Sequence, residues 1–97
     1  MYARLVIAQV KPDMLDEFVR IYRDSIVPAA KEQKGFAGAY LMLDRSSFKG
    51  MSEVLWESEE DMKAGEASGY LREQIAKIAV TFASPPATER YEILVKG

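Results

Sequence analysis

Cysteine, histidine and asparagine are all missing from this 97-residue chain. Without cysteine there are no disulfides and no thiol chemistry, and a cytoplasmic location is the expectation. Without Cys or His, a structural zinc ion or a haem of the usual ligation has no protein ligands, so neither a metal nor a bound cofactor is expected. No Ser-His or Cys-His nucleophile can be assembled either. Any catalysis by the chain itself falls to carboxylates, Lys, Arg, Tyr, Trp, Ser or Gln.

Long apolar runs and one-sided charge are missing as well. No run approaches the roughly 20 residues of a membrane span. The stretch Met1–Ile7 is too short for a signal peptide and has Arg4 inside it. Thirteen Lys and Arg are scattered among fifteen Asp and Glu, for a net charge of −2. No basic stripe results, so neither nucleic acid nor a membrane is an expected partner.

What is present is ordinary for a globular protein: 48% hydrophobic and 29% charged residues. The length suits a single domain over residues 1–97. Tyr2 to Val10 reads as a strand. Lys11-Pro12-Asp13 breaks it, with Asp13 as the helix N-cap. Leu15, Phe18, Tyr22, Ile26 and Ala29 then recur at helical spacing up to Gly35. Pro28 lies within that helix, which predicts a break near Ser25–Val27. Phe36 to Asp44 and Met51 to Glu57 read as a hairpin across a short polar loop. Ser58 opens a second helix, with Asp61 at the capping spacing. That helix is predicted to break near Ser68-Gly69 and restart over Tyr70 to Phe82; Thr88 to Lys96 is a last strand. The order β-α-β-β-α-β is α+β and ferredoxin-like: a four-stranded antiparallel sheet with helices on one face.

A sheet covered on one face only should alternate apolar and polar residues. These strands do not. Leu5 and Ile7 oppose Val6, Ala8 and Val10; Phe36, Tyr40 and Met42 oppose Ala37, Ala39, Leu41 and Leu43; Met51 and Leu55 oppose Val54 and Trp56. The final strand is only partly two-sided. A second layer is needed, and a second copy of the sheet is its simplest source, so a homodimer through the sheet face is expected.

Three segments carry a family resemblance: Val27-Pro28-Ala29-Ala30, Lys34-Gly35-Phe36-Ala37-Gly38-Ala39-Tyr40, and Glu53-Val54-Leu55-Trp56-Glu57-Ser58-Glu59-Glu60-Asp61-Met62. Their order and spacing resemble the antibiotic biosynthesis monooxygenase (ABM) domain of the dimeric α+β barrel superfamily, over roughly Met1 to Val95. The resemblance implies a dimeric barrel with a pocket between sheet and helices in each protomer. It implies either cofactor-independent oxygenation of polyphenolic compounds or haem degradation. The haem-degrading members hold iron through a His on the late helix, which this chain lacks. The oxygenases use an Asn, and the position four before Trp56 is here Ser52. Trp56 itself carries over.

The substrate-pocket candidates are Trp56, Tyr22, Phe18, Tyr40, Ser52 and Arg72. Each has a plainer alternative. Trp56, Tyr22 and Phe18 suit core positions, Ser52 a strand edge, and Arg72 a solvated helix surface. No catalytic residue stands out, and Glu59, Glu60 and Asp61 suit a helix N-terminus without any catalytic role. Two functions stay open. One is an ABM-like monooxygenase acting on an aromatic or quinol-like molecule; the other is a non-catalytic homodimer that binds a small ligand or is purely structural.

Overall fold

The computed structural model describes residues 1–97. Its elements are β1 (Tyr2–Gln9), α1 (Leu15–Ile21), α2 (Val27–Lys31), β2 (Phe36–Asp44), β3 (Lys49–Trp56), α3 (Glu59–Ala67), α4 (Tyr70–Ile78) and β4 (Ala87–Glu92). The strands form one antiparallel sheet in the order β2-β3-β1-β4 with the helices packed on one face. This is the ferredoxin-like α+β arrangement expected from the element order.

The local signals acted much as their chemistry predicts, with informative exceptions. Pro28 falls in the first turn of α2, where its missing N–H is least costly. Ahead of it the chain widens into a π-helical segment, Tyr22–Ile26, and the Val27 N–H reaches back to the Tyr22 carbonyl. The expected break is thus a bulge, and the helical rod continues through it. Asp13 is not the N-cap. It lies inside a 3-10 turn, Pro12–Met14, and Met14 precedes α1 with no side-chain cap. Ser58 does cap α3, its hydroxyl accepting from the Asp61 N–H at 3.1 Å. Gly69, at φ 86°, separates α3 from α4 in a conformation other residues rarely adopt.

Two boundaries moved. Helix α4 stops at Ile78, and a 3-10 turn (Ala79–Thr81) frees Phe82 to bridge Val10 in extended backbone. Strand β4 ends at Glu92 rather than Lys96, because the antiparallel β1 beside it runs out. The last bond is from the Ile93 N–H to the Met1 carbonyl at 2.8 Å. Leu94 and Val95 project into solvent.

A bulge also reassigns one face. Phe36 pairs with Trp56, but the next pair is Gly38 with Leu55, so Ala37 is the extra residue. Phe36 therefore turns to the helix side and meets Trp56 edge-on, 6.5 Å between centroids, instead of joining Tyr40 and Met42. On the helix-free face the register stacks Met42, Met51, Ile7 and Ala87 in one row. A second row holds Tyr40, Glu53, Leu5 and Glu89, and a third Gly38, Leu55, Ala3 and Tyr91. That face is apolar in the first and third rows and carries Glu53 and Glu89 in the row between them, with Tyr40 and Tyr91 more than half exposed.

Candidate functional site

On the helix side, alternate residues of β1 and β3 point inward: Arg4, Val6 and Ala8 stand beside Val54, Ser52 and Gly50. Phe18, Tyr22 and Ile26 close over them from the first helical rod, and Leu71, Gln74 and Ile78 from α4. Between the layers lies a narrow cleft, with about 50 Å³ open to the centre of a water-sized sphere. Thirteen of its seventeen lining residues are hydrophobic, so the few polar groups determine what it can hold. Gly50 is needed for this geometry. A Cβ there would lie 2.8 Å from Val10 Cγ2 and 2.9 Å from Phe18 Cζ.

One polar element is a short hydroxyl chain. Ser52 Oγ donates to Tyr22 Oη at 2.9 Å, and Tyr22 Oη donates to the Tyr40 carbonyl at 3.3 Å. Burial raises the Tyr22 pKa above its ordinary value, and the Ser52 hydrogen bond opposes the rise only in part. Tyr22 is therefore a neutral donor near pH 7.

The other polar element is Arg4, only 3% exposed. Its Nη1 donates to the Met62 carbonyl at 3.1 Å and to Glu66 at 3.4 Å. Glu66 in turn is gripped by Arg90 through three contacts of 2.5–2.9 Å. Burial lowers the Arg4 pKa and Glu66 pushes back; the Glu66 carboxyl is held below its ordinary range chiefly by the Arg90 hydrogen bonds. The Arg4 guanidinium also lies over the Trp56 ring, 5.2 Å from its centroid.

The sequence candidates divide accordingly. Phe18, Tyr22 and Ser52 line the cleft together. Trp56 is fully buried behind Arg4 rather than bordering the cleft, and its Nε1–H has no acceptor. Tyr40 contributes only its carbonyl, since its ring lies on the helix-free face; Arg72 is on the exposed side of α4. Arg4, Tyr70 and Gln74 also line the cleft, although none had been a candidate. A signal for Arg4 was available: it falls in the same alternation as Val6, Ala8 and Val10, a charge in the inward set of a strand.

The family model for antibiotic biosynthesis monooxygenase matches residues 1–77, a stretch containing Arg4, Tyr22, Ser52 and Trp56. The chain belongs to the antibiotic biosynthesis monooxygenase family. An uncharacterised protein of Mycobacterium tuberculosis, Rv2557, is 32% identical over 96 residues, which are 95% of this chain and 40% of that protein. The chain thus spans about two fifths of the length of that relative. Among solved structures, SnoaB, a cofactor-independent oxygenase from Streptomyces nogalater, superposes with TM-score 0.78. It is 10% identical, over 98% of this chain and 94% of its own. The ActVA-Orf6 monooxygenase of Streptomyces coelicolor, in complex with nanaomycin D, gives TM-score 0.70 at 20% identity, over 98% and 92% of the two chains. At such identities these structures establish the shared ABM fold. The polar side chains lining its cleft are those of Arg4, Tyr22, Ser52, Tyr70 and Gln74, and the chain has no His, Cys or Asn.

Proposed function

We propose that the chain is a small-molecule monooxygenase that works without metal or bound cofactor on an aromatic, quinol-like substrate held in the cleft. The observation that carries this proposal is the cleft itself: an apolar slot, bordered by one buried cation and one hydroxyl pair, in a member of a monooxygenase family. An electron-rich substrate supplies all the electrons. A ring methylene that loses both hydrogens and gains one oxygen atom as a carbonyl, with the second oxygen atom leaving as water, balances against one O₂. The protein's part is to exclude water and to stabilise the substrate anion that reacts with oxygen. Arg4 is the donor with unused N–H groups to do so. The Ser52 and Tyr22 hydroxyls, whose protons are already given to Tyr22 and to the Tyr40 carbonyl, keep acceptor capacity.

The functional unit in this proposal is a homodimer closed by the helix-free sheet face. Its row of Met42, Met51, Ile7 and Ala87 supports that closure, since a wet face of this kind is unfavourable. A non-catalytic ligand-binding dimer is the second possibility, favoured by the sealing of Trp56 away from the cleft. An oxygen electrode separates the two. Stoichiometric O₂ uptake with anthrones or dihydroquinones, reduced at least tenfold in Tyr22→Phe/Ser52→Ala, is expected. No uptake across such a panel, with ligand still bound, would leave the non-catalytic dimer.

A further inference from the structure

The charges around Arg4 do not balance. Two guanidinium groups, Arg4 and Arg90, share one carboxylate, that of Glu66. The sharing is unequal: Arg90 takes three contacts at 2.5–2.9 Å, while Arg4 is left with one at 3.4 Å. Arg90 lies nearer the surface, with 44% of its side chain exposed, so water neutralises much of its charge. Arg4 has no such relief at 3% exposure. A buried cation ordinarily has a counter-ion of its own and a full set of acceptors; this one has a shared counter-ion and an incomplete set of acceptors.

Its donors point to the same gap. A guanidinium offers five N–H groups. Only Nη1 has acceptors here, Met62 O and Glu66; Nε and Nη2 have none. Neither nitrogen is sealed, since the only buried polar side-chain atom without a partner is Trp56 Nε1. Arg4 is one of the residues that line the cleft. The Trp56 ring lies 5.2 Å from the guanidinium carbon and the Met62 carbonyl anchors one nitrogen, which limits the movement of the remaining donors.

We propose that Arg4 is the anion-binding residue of the cleft, and that the ligand is an aromatic molecule bearing one ionised oxygen group, a carboxylate or an acidic phenolate, on an otherwise apolar body. The ligand's anionic group supplies the fourth charge of the Arg90–Glu66–Arg4 row, met by the spare guanidinium donors in bidentate geometry. The ring system then runs along the inner face of the sheet toward Ser52, a diagonal neighbour of Arg4 across β1 and β3, roughly 7–8 Å away for such pairs. Ser52 Oγ, whose proton goes to Tyr22, keeps acceptor capacity for a hydroxyl at the far end. This deepens the proposal that the cleft takes the substrate and rests on it.

The test compares 2-naphthoate with its neutral isostere 2-naphthamide by calorimetry. The wild-type protein is expected to bind the acid at least tenfold more tightly, and Arg4→Met to bind the two equally. In case Arg4→Met does not fold, the side-chain Nε–H resonances of the ¹⁵N-labelled wild type supply a second measurement. One buried arginine resonance should move with naphthoate and stay put with naphthamide. Equal affinities in the wild type, or an unmoved arginine resonance at saturation with the acid, would overturn the assignment of Arg4 while leaving the cleft as a ligand site. Absence of binding by either compound would remove the cleft proposal and this one together. A clear preference for the acid without oxygen uptake on any quinol would support Arg4 and remove only the oxygenase activity.

Discussion

The Arg4 guanidinium carbon sits 5.2 Å from the centre of the Trp56 ring, with Trp56 fully buried and Arg4 3% exposed. The indole face is a poor substitute for a counter-ion, worth about 2 kcal/mol when desolvated. The hydrogen bond from Nη1 to the Met62 carbonyl, with the indole on one side, limits how the guanidinium can turn. The one tryptophan therefore acts on the cleft through Arg4.

This gives a specific expectation for Trp56. Its Nε1–H is buried without an acceptor, a cost of about 1–3 kcal/mol. Trp56→Phe removes that cost while losing volume and part of the cation–π contact, so the net destabilisation should stay within about 1.5 kcal/mol. Trp56→Ala should lose about 3–5 kcal/mol. Urea unfolding at equal m-value checks both. A loss above about 3 kcal/mol in Trp56→Phe would mean that the indole N–H has a partner in solution.

Gly50→Ala is expected to destabilise the protein by about 1–3 kcal/mol, since the new methyl collides with Val10 and Phe18 in the interior. Displacing the Phe18 ring narrows the cleft as well, so the affinity for 2-naphthoate should drop with it. Thermal unfolding and calorimetry measure the two effects separately.

The Tyr22–Ser52 hydroxyl pair should show as a coupling energy. Tyr22→Phe and Ser52→Ala each remove one partner, and the double variant removes both. A double-mutant cycle in urea should give a coupling of about 0.5–1.5 kcal/mol. Strict additivity would show that the two hydroxyls do not bond in solution.

Glu66 makes stability depend on acid pH. Its folded-state pKa is lowered from 4.5, mainly by hydrogen bonds from Arg90, so the folded protein favours the carboxylate more than the unfolded chain does. The resulting stabilisation is fully present above pH 4.5 and lost as pH falls through the lower folded value. Glu66→Gln should flatten that part of the urea-midpoint profile and lower the neutral-pH midpoint. An unchanged profile would show that Glu66 is not held by the arginines in solution.

Ile7→Lys tests the assembly. Ile7 lies in the apolar row between Met51 and Ala87, so a charge there is buried without a partner if two sheets meet. Sedimentation should give a dimer for the wild type and a monomer for Ile7→Lys with unchanged circular dichroism. A wild type that sediments as a monomer at micromolar concentration would remove the dimer from the proposed function.

Much of the fold was local information. Period-2 and period-3.6 patterns, Ser58 ahead of Asp61, and Gly69 between two helical runs are chemistry acting within a few residues, and they located the strands, the cap and the break. Family membership was legible too, in the order of the Val27, Gly35 and Trp56 segments. What failed locally failed because the deciding atoms came from elsewhere. The bulge at Ala37 is a matter of register against β3, and it turned Phe36 inward. Strand β4 ended where its neighbour β1 began, although Ile93, Leu94 and Val95 have good strand propensity. The site depended most on tertiary structure: Arg4, Glu66 and Arg90 are distant in sequence, and only packing α3 over β1 places a half-satisfied cation at the edge of an apolar cleft. Composition decided which chemistries were absent, and long-range packing decided which of the remaining side chains would lack a partner.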